Sequence, residues 1–194
     1  MAEEQKPGRG PLFSVLAALP VIALALLAFE GFYYLSSRRA DQSQFSPWVG
    51  VRAPDFTVTN LDGKAIHLAD FKGKRVILNF WATWCPPCRE ELPGFIKLRS
   101  ETPSTKVVIL GLSTDAAAAQ RAFARSHQIN YPLAVMGILP SPYGEVALIP
   151  TTMVIDRHGV IEQVAVGIQG LSTLEQFASE PDFSGSVKPA PAGR

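Results

Sequence analysis

The feature that most constrains the fold is the junction "RVILNFWATWCPPCREELPGF", residues 75–95, where an apolar run gives way to a proline-marked segment holding both cysteines of the chain. Arg75 to Trp81 is near-continuously apolar, as a strand buried on both faces must be. After the cysteines, Leu92, Phe95, Ile96 and Leu98 recur at helical spacing. Cys85 therefore falls where a buried strand ends and a helix begins. Unpaired amides and the helix dipole favour an anion at that place, so a Cys85 thiolate gains stability and nucleophilicity there. Cys88 lies one turn further on, on the same face and deeper. Such a pair can close a short disulfide and reopen it, with Cys85 attacking a substrate disulfide and Cys88 resolving the mixed intermediate. A purely structural bridge would close so small a loop that it removes little unfolded-chain entropy.

Two cysteines are far too few for a disulfide-stapled scaffold. One C-x-x-C is also only half of a closed structural zinc site. The histidines complete no familiar metal spacing: His67 lies in a strand-like stretch, His127 ends a helical one, and His158 sits in the turn "DRHG". No metal and no cofactor beyond the cysteine pair is expected. The net charge is +1, and lysines and arginines neither form a dense run nor interleave with aromatics. Nucleic acid is therefore not an expected partner.

Leu12 to Phe29, "LFSVLAALPVIALALLAF", carries no charge and as a helix would be roughly 27 Å long, close to the hydrocarbon thickness of a bilayer. Tyr33 and Tyr34 follow at the place of an interfacial aromatic pair, and Pro20 is tolerated within a membrane span. A cleaved signal peptide is the alternative, but the stretch is long and no small-x-small cleavage site precedes the polar region. Lys6 and Arg9 on one side balance Arg38 and Arg39 on the other, so charge does not orient the span. The expected organisation is an N-terminal tail (1–11), a transmembrane anchor (12–35), a polar linker (36–47), one domain (48–180) and a disordered tail (181–194) rich in proline, glycine and serine.

Within the domain, "DFTVTNLDGKAIHL" predicts a hairpin turning at Asp62-Gly63. "KVVILGLS" (Lys106 to Ser113) predicts a second buried strand, and "DAAAAQRAFARSHQ" a helix capped by Asp115. "TTMVID" and "VIEQVAV" predict a late antiparallel pair around the turn at Arg157 to Gly159, and "LSTLEQFASE" a closing helix. Alternating strands and helices, then a hairpin and a helix, give an α/β fold: a mixed sheet covered on both faces.

These residues carry a resemblance. "GVRAPDF", "LDGKAIHLADFKGKRVILNFWATWCPPCREELPGF" and the later "IPTTMVIDRHGVI" are similar to the TlpA/ResA-like branch of the thioredoxin superfamily, from about Val49 to Phe177. That branch consists of membrane-tethered thiol-disulfide oxidoreductases, some of which (the CcmG/DsbE type) serve cytochrome c maturation. The resemblance implies a thioredoxin-like fold with an N-terminal β-hairpin extension and a central insert. It makes Cys85 the attacking and Cys88 the resolving cysteine. Pro150 matches the family's cis-proline, which exposes a backbone edge beside the sulfurs where client chain can pair. Trp84, Pro86, Pro87, Ile149 and Thr151 would then line the substrate groove, while Trp81 belongs to the core and Pro93 has no chemical role.

Glu91 matches a carboxylate of the ResA-like proteins. Three residues after Cys88 it shares that residue's helical face, and burial would raise its pKa so that it exchanges protons with the cysteines. Thioredoxins proper place a buried aspartate on the preceding strand. Here that position is Asn79, which cannot ionise, so Glu91 is the best remaining candidate for the proton carrier; the alternative is a solvated first-turn glutamate that only complements the helix dipole.

A thiol peroxidase is the nearest rival enzyme, because "APDF" also occurs in peroxiredoxins. Those enzymes need a threonine or serine three residues before the peroxidatic cysteine, where this chain has Ala82, and a proline further upstream, where it has Leu78. A copper-site assembly factor or metallochaperone is the rival of another class, since thiolates suit Cu(I), but no histidine or methionine stands near the cysteines to complete a permanent site. Pro86 and Pro87 lack N–H groups that could stabilise the Cys85 thiolate, which leans the pair toward giving electrons. The resemblance implies a single-pass protein of the bacterial inner membrane with its domain in the periplasm or extracytoplasmic space. Its partners would be cysteine-containing clients, an apocytochrome c or a copper-site protein among them, and a membrane electron donor.

Overall fold

A computed structural model of the chain describes residues 26–27 and 46–190. Among the described residues no helix is long and apolar enough to cross a membrane. The anchor at 12–35 lies outside them apart from Leu26 and Leu27, as does most of the linker.

The domain is one seven-stranded sheet with three helices. In chain order the elements are β1 (Thr57–Asn60), β2 (Ala65–His67), β3 (Arg75–Phe80), α1 (Pro86–Glu101), β4 (Val107–Ser113), α2 (Ala117–Ser126), β5 (Leu133–Val135), β6 (Thr151–Ile155), β7 (Ile161–Val166) and α3 (Leu171–Ser179). Strand order across the sheet is β2-β1-β5-β4-β3-β6-β7. β3 pairs in parallel with β4, and β4 with β5; β6 and β7 run antiparallel to their neighbours. This is the thioredoxin-like arrangement.

β3 and β4 occupy the centre because every one of their residues is buried, which demands cover on both faces. The predicted hairpin forms, with Gly63 at φ +81° in the turn and the Asn60 side chain accepting from the N–H groups of Asp62 and Lys64. Each face of the sheet buries its own apolar cluster. Ile77 and Trp81 pack with Leu92, Phe95 and Leu98 of α1 and Leu174 and Phe177 of α3, with Phe123 of α2 at the margin. Val76, Leu78 and Phe80 point the other way, to Phe56, Leu68, Leu139 and Tyr143.

Two sequence expectations need correction, and one strand was not foreseen. The sheet is covered on both faces as expected, with all three helices serving the first cluster. The second is closed by the N-terminal arm, a 3-10 turn at Leu68–Phe71 and the insert before β6. β5 was not foreseen, because three residues are too short a run to show alternation. Asp115 does not cap α2; its carboxylate instead accepts the Thr83 N–H at 2.7 Å, and the N-cap position falls to Ala116 with no side-chain bond. Finally, the described part of the supposedly disordered tail is fastened to the domain. Asp182 pairs with Arg75 and Arg157, and Lys188 exchanges backbone hydrogen bonds with Gly50 and Arg52. A buried guanidinium needs carboxylate partners, and composition alone does not reveal that Asp182 is one of them.

Candidate active site at the strand-helix junction

β3 delivers the chain to the site. Phe80 is the last strand residue, the Trp81 N–H still bonds to the Leu112 carbonyl at 3.1 Å, and α1 begins at Pro86. Cys85 is the N-cap of α1 and is joined to Cys88 as a disulfide, with Cα atoms 5.3 Å apart. Prolines suit the first two helical positions because those N–H groups have no intrahelical partner. The consequence is electrostatic. An N-cap side chain accepts from the second or third helical N–H, and here only the third exists: Cys88 N–H donates to Cys85 Sγ at 3.3 Å. Cys88 is fully buried and Cys85 is 3% exposed.

Pro150 stands at the same end of the sheet. β6 runs antiparallel to β3 with Phe80 opposite Thr151, so the residue before β6 faces the segment after β3. The Ile149–Pro150 peptide is cis. Pro150 C=O accepts the Gly167 N–H at 2.8 Å, whereas neither the N–H nor the C=O of Ile149 bonds to another backbone group. The Thr151 hydroxyl donates to Leu148 O at 2.8 Å. Trp84 is 69% exposed beside Cys85, and Pro86 and Pro87 are exposed with it, whereas Trp81 is buried in the core.

Glu91 is 2% exposed on the inner face of α1. Asn79 Nδ2 donates to its Oε1 at 2.6 Å, and the Gln169 backbone N–H donates to its Oε2 at 3.2 Å. Burial pushes the carboxyl up to about 7, against the two hydrogen bonds that pull it down. Desolvation dominates because two hydrogen bonds replace only part of the hydration shell of a carboxylate. The acid can thus both hold and release a proton near neutrality. Close by, the buried Tyr131 hydroxyl is pushed up by its own burial and secondarily by the Glu91 charge. Tyr131 OH, Trp81 Nε1 and Asn79 Oδ1 find no hydrogen-bond partner among the described residues.

Sequence reasoning missed two members of this site. Gln169 is 78 positions from Glu91 and acts through its backbone, so no side-chain pattern could mark it. Asp115 holds the loop before the cysteines, and its helix-flanking position suggested a cap instead. Among the described residues no cluster of histidine, cysteine, aspartate or glutamate is arranged to hold a metal ion. A hollow of about 510 Å³ beside Lys74, Val76 and Arg157 lies at the far end of β3 and takes no part in the sulfur chemistry.

The profile of the AhpC/TSA family matches residues 49–164. The chain is 39% identical over 160 residues to the thiol-disulfide oxidoreductase ResA of Bacillus thuringiensis subsp. konkukian, covering 81% of this chain and 91% of that one. It is 38% identical over 130 residues to the thioredoxin-like protein YneN of Bacillus subtilis, covering 66% and 76% respectively. Among solved structures, a thiol:disulfide interchange protein of the thioredoxin family from Chlorobium tepidum superposes with a TM-score of 0.59 at 28% identity, covering 66% of this chain and 93% of that one. The chain belongs to the AhpC/TSA family, in its thioredoxin-like branch of ResA-type thiol-disulfide oxidoreductases.

Proposed function

We propose that this oxidoreductase works as a membrane-tethered reductant of disulfides in extracytoplasmic client proteins. The observation that carries the reading is a cysteine pair at the N-terminus of α1 with a buried acid titrating near neutrality on the same helix. In the reduced form the Cys85 thiolate attacks a client disulfide. A Cys85–client disulfide forms, the client's own S–S bond breaks, and the departing client thiolate takes up a proton. Cys88 then gives up its proton and attacks Cys85 Sγ, closing the Cys85–Cys88 disulfide and releasing the second client thiolate, which is protonated in turn. Two electrons and two protons pass to the client. To Glu91, three residues from Cys88 on the same helix, this reading assigns the task of taking the Cys88 proton.

Several further assignments rest on the resemblance and on the apolar stretch at residues 12–35: a single-pass anchor, an extracytoplasmic domain, a membrane dithiol protein as electron source, and an apocytochrome c or copper-site protein as client. The dithiol is the only redox group the reading requires. Incubating the reduced full chain with envelope proteins tests it. Cys88→Ser should accumulate Cys85-dependent mixed disulfides on non-reducing gels, and Cys85→Ser should form none and fail to reduce insulin. Retained insulin reduction in Cys85→Ser would overturn the assignment. Tight Cu(I) binding together with no disulfide reduction would favour the metallochaperone.

A further inference from the structure

All three helices cover one face of the sheet. The other face is closed by the N-terminal arm, the 3-10 turn at Leu68–Phe71 and the insert before β6. That lighter cover leaves a hollow of about 510 Å³ at the end of the sheet away from the disulfide. Chain direction fixes its place. Cys85 lies beyond the last residue of β3, whereas the hollow is bordered by Lys74, just before β3, and by Val76, near its start. Ile155, the last residue of β6, and the turn at Arg157–Gly159 complete that border. Small-molecule sites are clefts of about 300–1,000 Å³ with mainly apolar walls and a few polar groups.

The lining divides into two chemistries. Leu68, Val76 and Ile155 are buried and, with half-buried Phe71, supply apolar wall. Arg52, Lys72, Lys74 and Arg157 add positive charge, in a chain whose net charge is only +1. Two carboxylates belong to the lining as well, and both are engaged by backbone. Asp55 Oδ1 accepts from the N–H groups of Phe56 and Ala69. Asp156 is buried and accepts from those of His158, Val160 and Phe183. Arg157 is paired with Asp182, and Arg52 donates to the His158 carbonyl. Lys72 and Lys74 form no ion pair among the described residues. Two ammonium groups therefore border an apolar hollow with no carboxylate of the described chain against them. A bare inorganic anion gains nothing from the apolar wall, and a neutral or cationic apolar molecule gains nothing from the lysines. An anion with an apolar body uses both.

We propose that this hollow binds an amphiphilic anion, with an acyl chain against Leu68, Phe71, Val76 and Ile155 and a carboxylate or phosphate head at Lys72 and Lys74. A fatty acid and an anionic phospholipid share this chemistry. The site is separate from the cysteines, so the inference goes beyond the oxidoreductase reading and does not depend on it. An occupant at this pole leaves Cys85 open to its clients, and the two activities can coexist on one domain.

The test uses the full chain in phosphatidylcholine nanodiscs and photoactivatable probes carrying a diazirine near the end of the acyl chain. Dodecanoic acid and dodecylamine are added to the disc, phosphatidylglycerol is built into it, and adducts are mapped by mass spectrometry. Dodecanoic acid should label the segments 68–76 and 155–159, relative to the rest of the chain, about tenfold more than dodecylamine does. Reversing both charges, Lys72→Glu with Lys74→Glu, should lower that labelling about tenfold. Ala69→Trp, which fills the hollow from the 3-10 turn, should abolish it. Both variants should reduce insulin as wild type does; should the tryptophan variant fold poorly, the lysine pair decides. Labelling by the acid alone assigns a free fatty acid as occupant, and labelling by phosphatidylglycerol assigns a bilayer lipid. Equal labelling by acid and amine, labelling unmoved by the lysine reversals, or no labelling of these segments by acid or phospholipid would each overturn the site. None of those results touches the dithiol chemistry, which insulin reduction reads separately.

Discussion

Replacing Glu91 with glutamine should flatten the pH dependence of stability of the oxidised protein. In the folded state burial raises this carboxyl from 4.5 to about 7. The folded protein therefore holds the Glu91 proton more tightly than the unfolded chain does. The stabilisation is complete below about pH 4.5, is lost as pH rises toward 7, and stays lost above that. A rise of about 2.5 units at about 1.36 kcal/mol each makes the total about 3 kcal/mol. Glutamine copies the protonated acid, offering one donor and one acceptor where the carboxylate offers only acceptors. The neighbouring amide suits both forms. Asn79 Nδ2 lies 2.6 Å from Glu91 Oε1 while its Oδ1 has no partner. Turned over, the same amide would accept from the acid O–H at a separation typical of O–H···O bonds.

The assay is urea unfolding of both proteins with the disulfide closed, from pH 4 to pH 8. Wild type should lose about 3 kcal/mol relative to the glutamine variant across that range. With urea slopes of about 1–3 kcal/mol/M, the separation between the two midpoints should change by roughly 1–3 M. Parallel curves would refute the reasoning, for they would mean that Glu91 is hydrated or charge-paired in solution and that burial does not set its proton affinity.

Two further perturbations follow from the same geometry. Pro87→Ala restores the second helical N–H and gives the Cys85 sulfur another donor. Its thiolate should gain about 1.4 kcal/mol and the reduction potential should rise by about 30 mV against glutathione; an unchanged or lower potential would refute the role given to the prolines. Gly111→Ala puts a methyl 2.5 Å from Leu133 Cδ2 and 3.0 Å from Trp81 Nε1, inside a packed layer. It should cost about 1–3 kcal/mol by overpacking, and an unshifted urea midpoint would show that this layer has slack.

What the sequence made legible was whatever a short window contains. β3 and β4 announced themselves because a strand buried on both faces must be continuously apolar, and the first hairpin because Asp62-Gly63 suits its turn. The cysteine pair was legible for the same reason, since strand, cap and helix are consecutive. β5 was not, because its three residues are held by pairing with Gly111–Ser113 and carry no pattern of their own. The tail misled through composition: proline, glycine and serine describe a segment without a core, yet Asp182 answers a guanidinium buried more than a hundred positions away.

The proton site shows the limit most sharply. Asn79 in place of the strand aspartate pointed to Glu91, and the fold brings the two side chains into contact. The acid thus serves the same space from the helix that the thioredoxin aspartate serves from the strand. Its second hydrogen-bond partner comes from the chain just after β7, where Gln169 donates its backbone N–H one residue beyond the exposed Ile168. That hydrogen bond favours the carboxylate. Strand, helix and the loop after β7 thus converge on one carboxyl, and its proton affinity is set by residues no short window of sequence holds together.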